Sequence, residues 1–218
     1  MAGPVSEYVL QRLGDLRIVP VLTAADPDEA EHACRALLAG GLAAVEITFR
    51  TGAAAEAIRR VAPMEGLLVG AGTVLSGEQL DAAVEAGARF GVAPGTNASV
   101  VEAARRSGLP FIPGAATPTE IEHARALGCR AVKVFPASLV GGPPYLKAVS
   151  AVYPDLRFVP TGGINLENLG AYLELPAVLA CAGTWICEPA VLRERRFDEV
   201  ERRARAALEL VVAPQPVA

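Results

Sequence analysis

The chain has 218 residues, with 20 basic and 24 acidic side chains and a formal net charge of -4. Hydrophobic residues make up 52% and charged residues 20%, the balance of a folded globular protein and not of a disordered one. The mild acidity argues against a general nucleic-acid or anionic-membrane surface, and no uncharged apolar run reaches the ~18 residues of a membrane span.

The first segment, MAGPVSEYVLQRLGDLR, reads as a short amphipathic helix over 1–15. It has no basic stretch followed by an apolar one, so no secretory signal is expected and a cytoplasmic location is. Short apolar, β-rich runs then alternate with Ala-rich helical stretches. The predicted strands are 17–22, 43–48, 67–72, 89–94, 110–115, 130–135, 156–161 and 177–182. Between them, PDEAEHACRALLAGG starts behind Asp26 and stops at a glycine pair. SGEQLDAAVEAG opens with Ser76, and TPTEIEHARALG carries the Thr117–Glu120 capping-box spacing. A helix is expected over 165–173 and a long, doubly charged one over about 189–211, with a frayed tail over 212–218. Regular strand–helix alternation implies a parallel sheet with right-handed crossovers. Eight such units predict a single-domain (β/α)8 TIM barrel over 1–218 with a short N-terminal helix. The alternative, a doubly wound sheet, usually places a Gly-rich turn after its first strand, and VPVLTAADPDE has none.

Four cysteines (Cys34, Cys129, Cys181, Cys187) form no C-x-x-C pair and sit in apolar stretches, as buried reduced thiols do. His32 and His123 fall in predicted helices away from any carboxylate–Cys cluster, so no metal is expected. Of the 20 basic residues 18 are Arg; the two lysines are Lys133 and Lys147. Lys147 follows GGPPY in a predicted helix and reads as a solvated surface residue. In RAVKVF, Lys133 and Phe135 share one strand face, and Val132 and Val134 the other. In AAVEIT, Glu46 and Thr48 stand opposite Val45 and Ile47. With the β-branched residues against the helices, Lys133 and Glu46 both face the interior. A lysine there is a buried ion pair with Glu46 or an imine-forming nucleophile; burial and a cation such as Arg50 would favour its free amine. Glu46 is then its partner or a proton shuttle. Arg50, just past its strand, suits a small carboxylate. Thr73 follows the two glycines of GAGT. Gly162 and Gly163 in PTGGIN, with CAGTWI on the next strand, form paired glycine turns where this architecture usually holds phosphate.

The set EITFR, GAGTV, APGTNASV, FIPGAATPTE, VKVFPAS and PTGGI, in this order, resembles the 2-dehydro-3-deoxy-phosphogluconate aldolase / 4-hydroxy-2-oxoglutarate aldolase family of class I aldolases. The resemblance covers roughly 15–190. It implies a homotrimer of (β/α)8 subunits with no cofactor. It also implies reversible cleavage of 2-dehydro-3-deoxy-6-phosphogluconate to pyruvate and glyceraldehyde 3-phosphate, with 4-hydroxy-2-oxoglutarate (giving pyruvate and glyoxylate) as a second substrate. On that pattern Lys133 forms the imine and Glu46 is the general acid/base. Arg50 and Thr73 hold the pyruvate carboxylate, Pro94 and Phe135 shape the apolar side, and Thr161 lies near the imine. Gly162, Gly163, Gly183 and Thr184 cradle the phosphate. Family members commonly end the eighth strand with Gly-Gly-Ser-Trp, where this chain has Ala182-Gly183-Thr184-Trp185. Thr keeps a hydroxyl donor, whereas Ala narrows backbone freedom, so preference for phosphorylated aldehydes is the property this change touches. Three rivals stand beside this reading. They are a galactonate-type aldolase, a phosphosugar isomerase or synthase on the same scaffold, and a silent sugar-phosphate-binding protein.

Overall fold

The structure, a computed structural model, describes residues 4–212. The first three residues of the expected N-terminal helix and the tail after 212 lie outside the described residues. The elements run α1 (Pro4–Leu16), β1 (Ile18–Leu22), α2 (Pro27–Ala39), β2 (Ala44–Thr48), α3 (Ala54–Val61), β3 (Leu68–Gly72), α4 (Gly77–Glu85) and β4 (Phe90–Val92). The chain continues with α5 (Ala98–Ser107), β5 (Phe111–Ile112), β6 (Gly114–Ala115), α6 (Pro118–Ala126), β7 (Ala131–Val134) and α7 (Gly142–Val152). It closes with β8 (Arg157–Pro160), α8 (Leu169–Leu173), β9 (Cys181–Gly183), α9 (Pro189–Arg193) and α10 (Phe197–Val212).

The helices begin where their caps dictate. Asp26 accepts the Glu29 N–H at 2.8 Å, with Pro27 pre-set for the first turn of α2. Ser76 caps α4, and Thr117 and Glu120 form the full capping box of α6. The strands pair in parallel as a six-stranded sheet, β5-β4-β3-β2-β1-β9, and a three-stranded one, β6-β7-β8. β5 and β6 are separated only by Pro113, whose carbonyl accepts the Lys133 N–H at 2.8 Å. At the other edge, parallel bridges join Phe158 to Val178 and Thr161 to Ala182. The result is an α/β fold with a curled parallel sheet.

Side-chain alternation divides the core in two. Val45, Ile47, Val69, Ala71, Val132 and Val134 pack outward with the helices. Val19, Val21, Ala44, Leu68, Phe90, Ala131 and Val159 form an inner cluster, to which α1 adds Val9 and Leu13. Both α1 residues are fully buried; sealing each contributes roughly 1.5–3 kcal/mol. Alternation therefore turns Lys133 and Glu46 inward together with Ala131 and Ala44.

Four expected boundaries shift. The predicted strand 110–115 is divided at Pro113, which has no N–H to continue the ladder. The last strand lies at Cys181–Gly183 and not over 177–182, because Val178 and Leu179 follow Phe158 while only 181–183 pair with β1. The long terminal helix is broken between α9 and α10, where Arg195 takes a left-handed φ of 54°. The helix expected over 165–173 starts only at Leu169, since Asn165 and Asn168 cap a turn before it.

Candidate active site

Lys133 and Glu46 come from strands that share no hydrogen bond. β7 lies in the three-stranded sheet and β2 in the six-stranded one, yet Lys133 Nζ donates to Glu46 Oε1 at 3.0 Å and Oε2 at 3.3 Å. The two side chains are only 6% and 2% exposed. The curl of the sheet brings them together across the interior. A charged pair this dry is costly unless well partnered, and here each group is the other's partner. Lys147, in contrast, is exposed on α7.

Neighbouring strands make room for the pair. A methyl group at Gly72 would stand 2.3 Å from Glu46 Oε1, and one at Gly70 would stand 2.2 Å from the Phe90 ring. The GAG run of β3 thus clears space for a carboxylate and an aromatic plug. Thr73 follows with a left-handed φ of 56°, which ends the strand's alternation. Lys133 Nζ stands 5.8 Å from the centroid of the Phe135 ring, and the Phe135–Pro136 bond is cis. Pro94 is half-buried beside β6: a methyl at Gly114 would meet its carbonyl at 2.1 Å.

The glycine turns also converge. Thr161, buried, bridges Ala182 in parallel register, so Gly162-Gly163 and Gly183-Thr184 leave adjacent backbones at the same level. Gly162 and Gly163 have φ of 96° and 75°, a conformation that suits glycine. Gly163 faces Ser138 so closely that a methyl would stand 1.9 Å from its Oγ. A methyl at Gly183 would meet the Trp185 ring at 2.5 Å and the Ile164 carbonyl at 3.6 Å. Thr184 is exposed at this end.

Arg50 is exposed just past β2, and its Nη2 donates to Thr23 Oγ1 at 2.9 Å. Thr23 Oγ1 is in turn 2.8 Å from Thr48 Oγ1, on the Glu46 face of β2. Sequence reasoning placed Thr48 on that face without a role and passed over Thr23. The available signal was a hydroxyl residue immediately after the apolar IVPVL strand. A separate cleft of about 590 Å³ lies beside α1, lined by Arg17, Arg130 and Arg157 among others. Its cations are already occupied: Arg130 pairs with Glu7, and Arg17 and Arg157 donate to backbone carbonyls. It lies apart from Lys133.

The burial and pairing of Lys133 suit an amine nucleophile beside a proton-transfer group. No group of three His, Cys, Asp or Glu side chains able to hold a metal stands among the described residues. Comparison with known proteins bears on the chemistry. The family model described as KDPG and KHG aldolase matches residues 9–203. A 2-dehydro-3-deoxy-phosphogluconate aldolase of Treponema pallidum is 42% identical over 204 residues, covering 93% of this chain and 97% of that protein. The 2-keto-3-deoxy-6-phosphogluconate aldolase of Zymomonas mobilis, solved with 3-phosphoglycerate, superposes with a TM-score of 0.84 at 36% identity, covering 91% and 94%. The KDPG aldolase of Legionella pneumophila, with pyruvate captured as a covalent carbinolamine, gives a TM-score of 0.85 at 34% identity, covering 89% and 97%.

Proposed function

This chain belongs to the KDPG and KHG aldolase family, and on that premise we propose a lysine-imine mechanism on the pair Lys133–Glu46. It is an aldolase that cleaves 2-dehydro-3-deoxy-6-phosphogluconate to pyruvate and glyceraldehyde 3-phosphate, with 4-hydroxy-2-oxoglutarate as a second substrate. The observation that carries the mechanism is the buried 3.0 Å contact between an amine and a carboxylate from opposite sheets. Lys133, as free amine, attacks the C2 ketone, and loss of water gives an iminium. Glu46, as carboxylate, takes the C4 hydroxyl proton. The C3–C4 bond breaks, its electrons form the enamine, and the aldehyde leaves. Glu46 returns a proton to C3, and hydrolysis frees pyruvate and restores the amine. The iminium is the electron sink in this scheme.

Arg50 and Thr73 take the keto-acid carboxylate, Arg50 with its two-pronged guanidinium. Phe135 and Pro94 bound the apolar side, and Thr161 stands by the imine. The backbone N–H groups at Gly162, Gly163, Gly183 and Thr184 take the phosphate; the Thr161–Ala182 register supports this reading. Closure of the sheet supports a full (β/α)8 barrel in one domain, through the shared β5–β6 edge and the β8–β9 bridges. None of the described helices is long and apolar enough to cross a membrane; we assign the enzyme to the cytoplasm as a homotrimer, which sedimentation at micromolar concentration tests.

Borohydride trapping with pyruvate tests the mechanism. A reduced pyruvate adduct is expected on Lys133, and Lys133→Arg should remain folded and form none, because a guanidinium cannot make the imine. An adduct on Lys147, or none in the wild type, contradicts the mechanism. Comparing phosphorylated with unphosphorylated 2-keto-3-deoxy acids then measures what Ala182 and Thr184 do to phosphate preference.

A further inference from the structure

Hydrogen-bond counting around Arg50 leaves one donor over. Thr23 and Thr48 each bring one hydroxyl proton, and the 2.8 Å contact between their oxygens uses one of the two. Arg50 can only donate, and its Nη2 takes a lone pair of Thr23 Oγ1 at 2.9 Å. Neither hydroxyl has another partner among the described residues. One O–H is therefore free: on Thr48, on the strand face of Glu46, if Thr23 donates, or on Thr23, beside Arg50, if Thr48 does. Thr48 is 2% exposed, so a ligand is the natural acceptor for such a proton.

We propose that the Thr23–Thr48 hydroxyl pair positions the Arg50 guanidinium for the carboxylate of the keto acid. The proposal rests on the imine mechanism above. Arg50 is a long, exposed side chain, with much rotamer freedom to lose when it engages a ligand. Anchoring one N–H on Thr23 removes part of that freedom beforehand and leaves the rest of the fork for the incoming oxygens. The anchor is itself held, because Thr48 ends a strand whose register with β1 and β3 is set by backbone pairing. The threonines act through Arg50, and so they govern how readily the carboxylate is seated and not how fast the amine reacts once it is.

The test is borohydride trapping across a pyruvate titration, in the full chain, with Thr23→Val, Thr48→Val and the two serine variants. Each valine keeps the shape and removes the hydroxyl. The pyruvate concentration for half-maximal trapping should rise about tenfold in Thr23→Val, the factor that loss of its charge-assisted bond to Arg50 of ~1.4 kcal/mol produces, and about threefold in Thr48→Val, which loses only the neutral contact that holds Thr23. Saturating yield on Lys133 should match the wild type, and both serine variants should restore the half-maximal concentration. An unchanged half-maximal concentration overturns the proposal. So does a reduced saturating yield at an unchanged half-maximal concentration, which would assign the threonines to the amine and carboxylate instead. Should Thr48→Val not fold, Thr23→Val decides alone, since Thr23 is only half-buried. Absence of any adduct in the wild type would instead overturn the imine mechanism itself, and the proposal with it.

Discussion

An amine and a carboxylate in a dry interior settle into contact unless something makes them do chemistry, so the space around them matters as much as their identity. Gly72 controls that space. A methyl there would lie 2.3 Å from Glu46 Oε1 and 2.5 Å from its Cγ, and the carboxylate would have to move by about an ångström to restore ordinary contact. Misplacement on that scale costs on the order of 100-fold in rate. Gly72→Ala should therefore lower kcat by about that factor while pyruvate trapping on Lys133 still proceeds, since the amine is not displaced. Exchange of the pyruvate C3 protons, followed by NMR, should slow in parallel with kcat. Normal exchange would mean that Glu46 is not the proton shuttle. The pair itself was legible from strand parity, because Lys133 and Glu46 each stand opposite flanking valines or isoleucine. The need for Gly72 was not, because it depends on which residue of the next strand lies alongside, and the Thr48–Gly72 register is non-local.

Loops and helix starts carry the remaining groups, and here local sequence signals worked where the chemistry was local. The Thr117–Glu120 box was readable from spacing, and the structure closes it: Glu120 Oε2 accepts the Ala116 and Thr117 N–H groups at 2.7 and 2.9 Å. These bonds, chiefly the one from Ala116, hold the Glu120 carboxyl below its usual range against the opposing effect of burial. A carboxyl lowered in the folded state contributes stability above its unfolded value, and that contribution is lost as pH falls through the folded value. Glu120→Gln should thus lower stability by roughly 0.5 kcal/mol at neutral pH, the exposed position being screened by solvent. The gap to wild type should begin to narrow as pH falls past the unfolded carboxyl's value of about 4.3 and close only below the folded value. Urea midpoints at the two pH values measure this; a gap that persists in acid would point to shape and not charge. Gly163 is a different case. Its φ of 75° and its contact with Ser138 both exclude a side chain. Gly163→Ala should raise KM for phosphorylated substrate by about tenfold, the equivalent of ~1.4 kcal/mol, and leave half-maximal pyruvate trapping unchanged. Equal effects on both would remove the turn from the phosphate site. The sequence marked these glycines as a turn pair, but not their meeting with Ser138, nor the breaks at Pro113 and Arg195. The Ser138 contact is decided between segments, whereas the Pro113 break follows from a missing N–H that the sequence already held.

The molecule as a whole is a curled parallel sheet with one apolar layer outside and another inside, and its cysteines report on the outer one. Cys34, Cys181 and Cys187 are buried in the layer between strands and helices, and Cys129 is half-buried against it. Burial pushes the Cys181 and Cys187 thiols up to about 12 and raises Cys34 further still; Cys129, with Arg105 opposing the effect, reaches about 11. At pH 8 a thiol-directed reagent should find almost no thiolate on any of them in the native state, where only the thiolate reacts. Cys129 should label first, through local opening of the loop before β7, at a rate that is insensitive to ligands. The other three, on α2, on β9 and just after β9, are buried in the same layer, Cys34 near enough to Cys187 to interact with it. Exposing them requires the layer to come apart, so they should label together, at a rate set by global unfolding. A keto acid that binds only the folded chain lowers the unfolded population by the factor 1 + [L]/Kd. Saturating pyruvate should therefore slow labelling of Cys34, Cys181 and Cys187 by one common factor and leave Cys129 unchanged. Peptide-resolved mass spectrometry separates the four sites. If Cys181 alone escaped protection, the β1–β9 seam would be opening independently of the rest, and the sheet would not unfold as one cooperative wall.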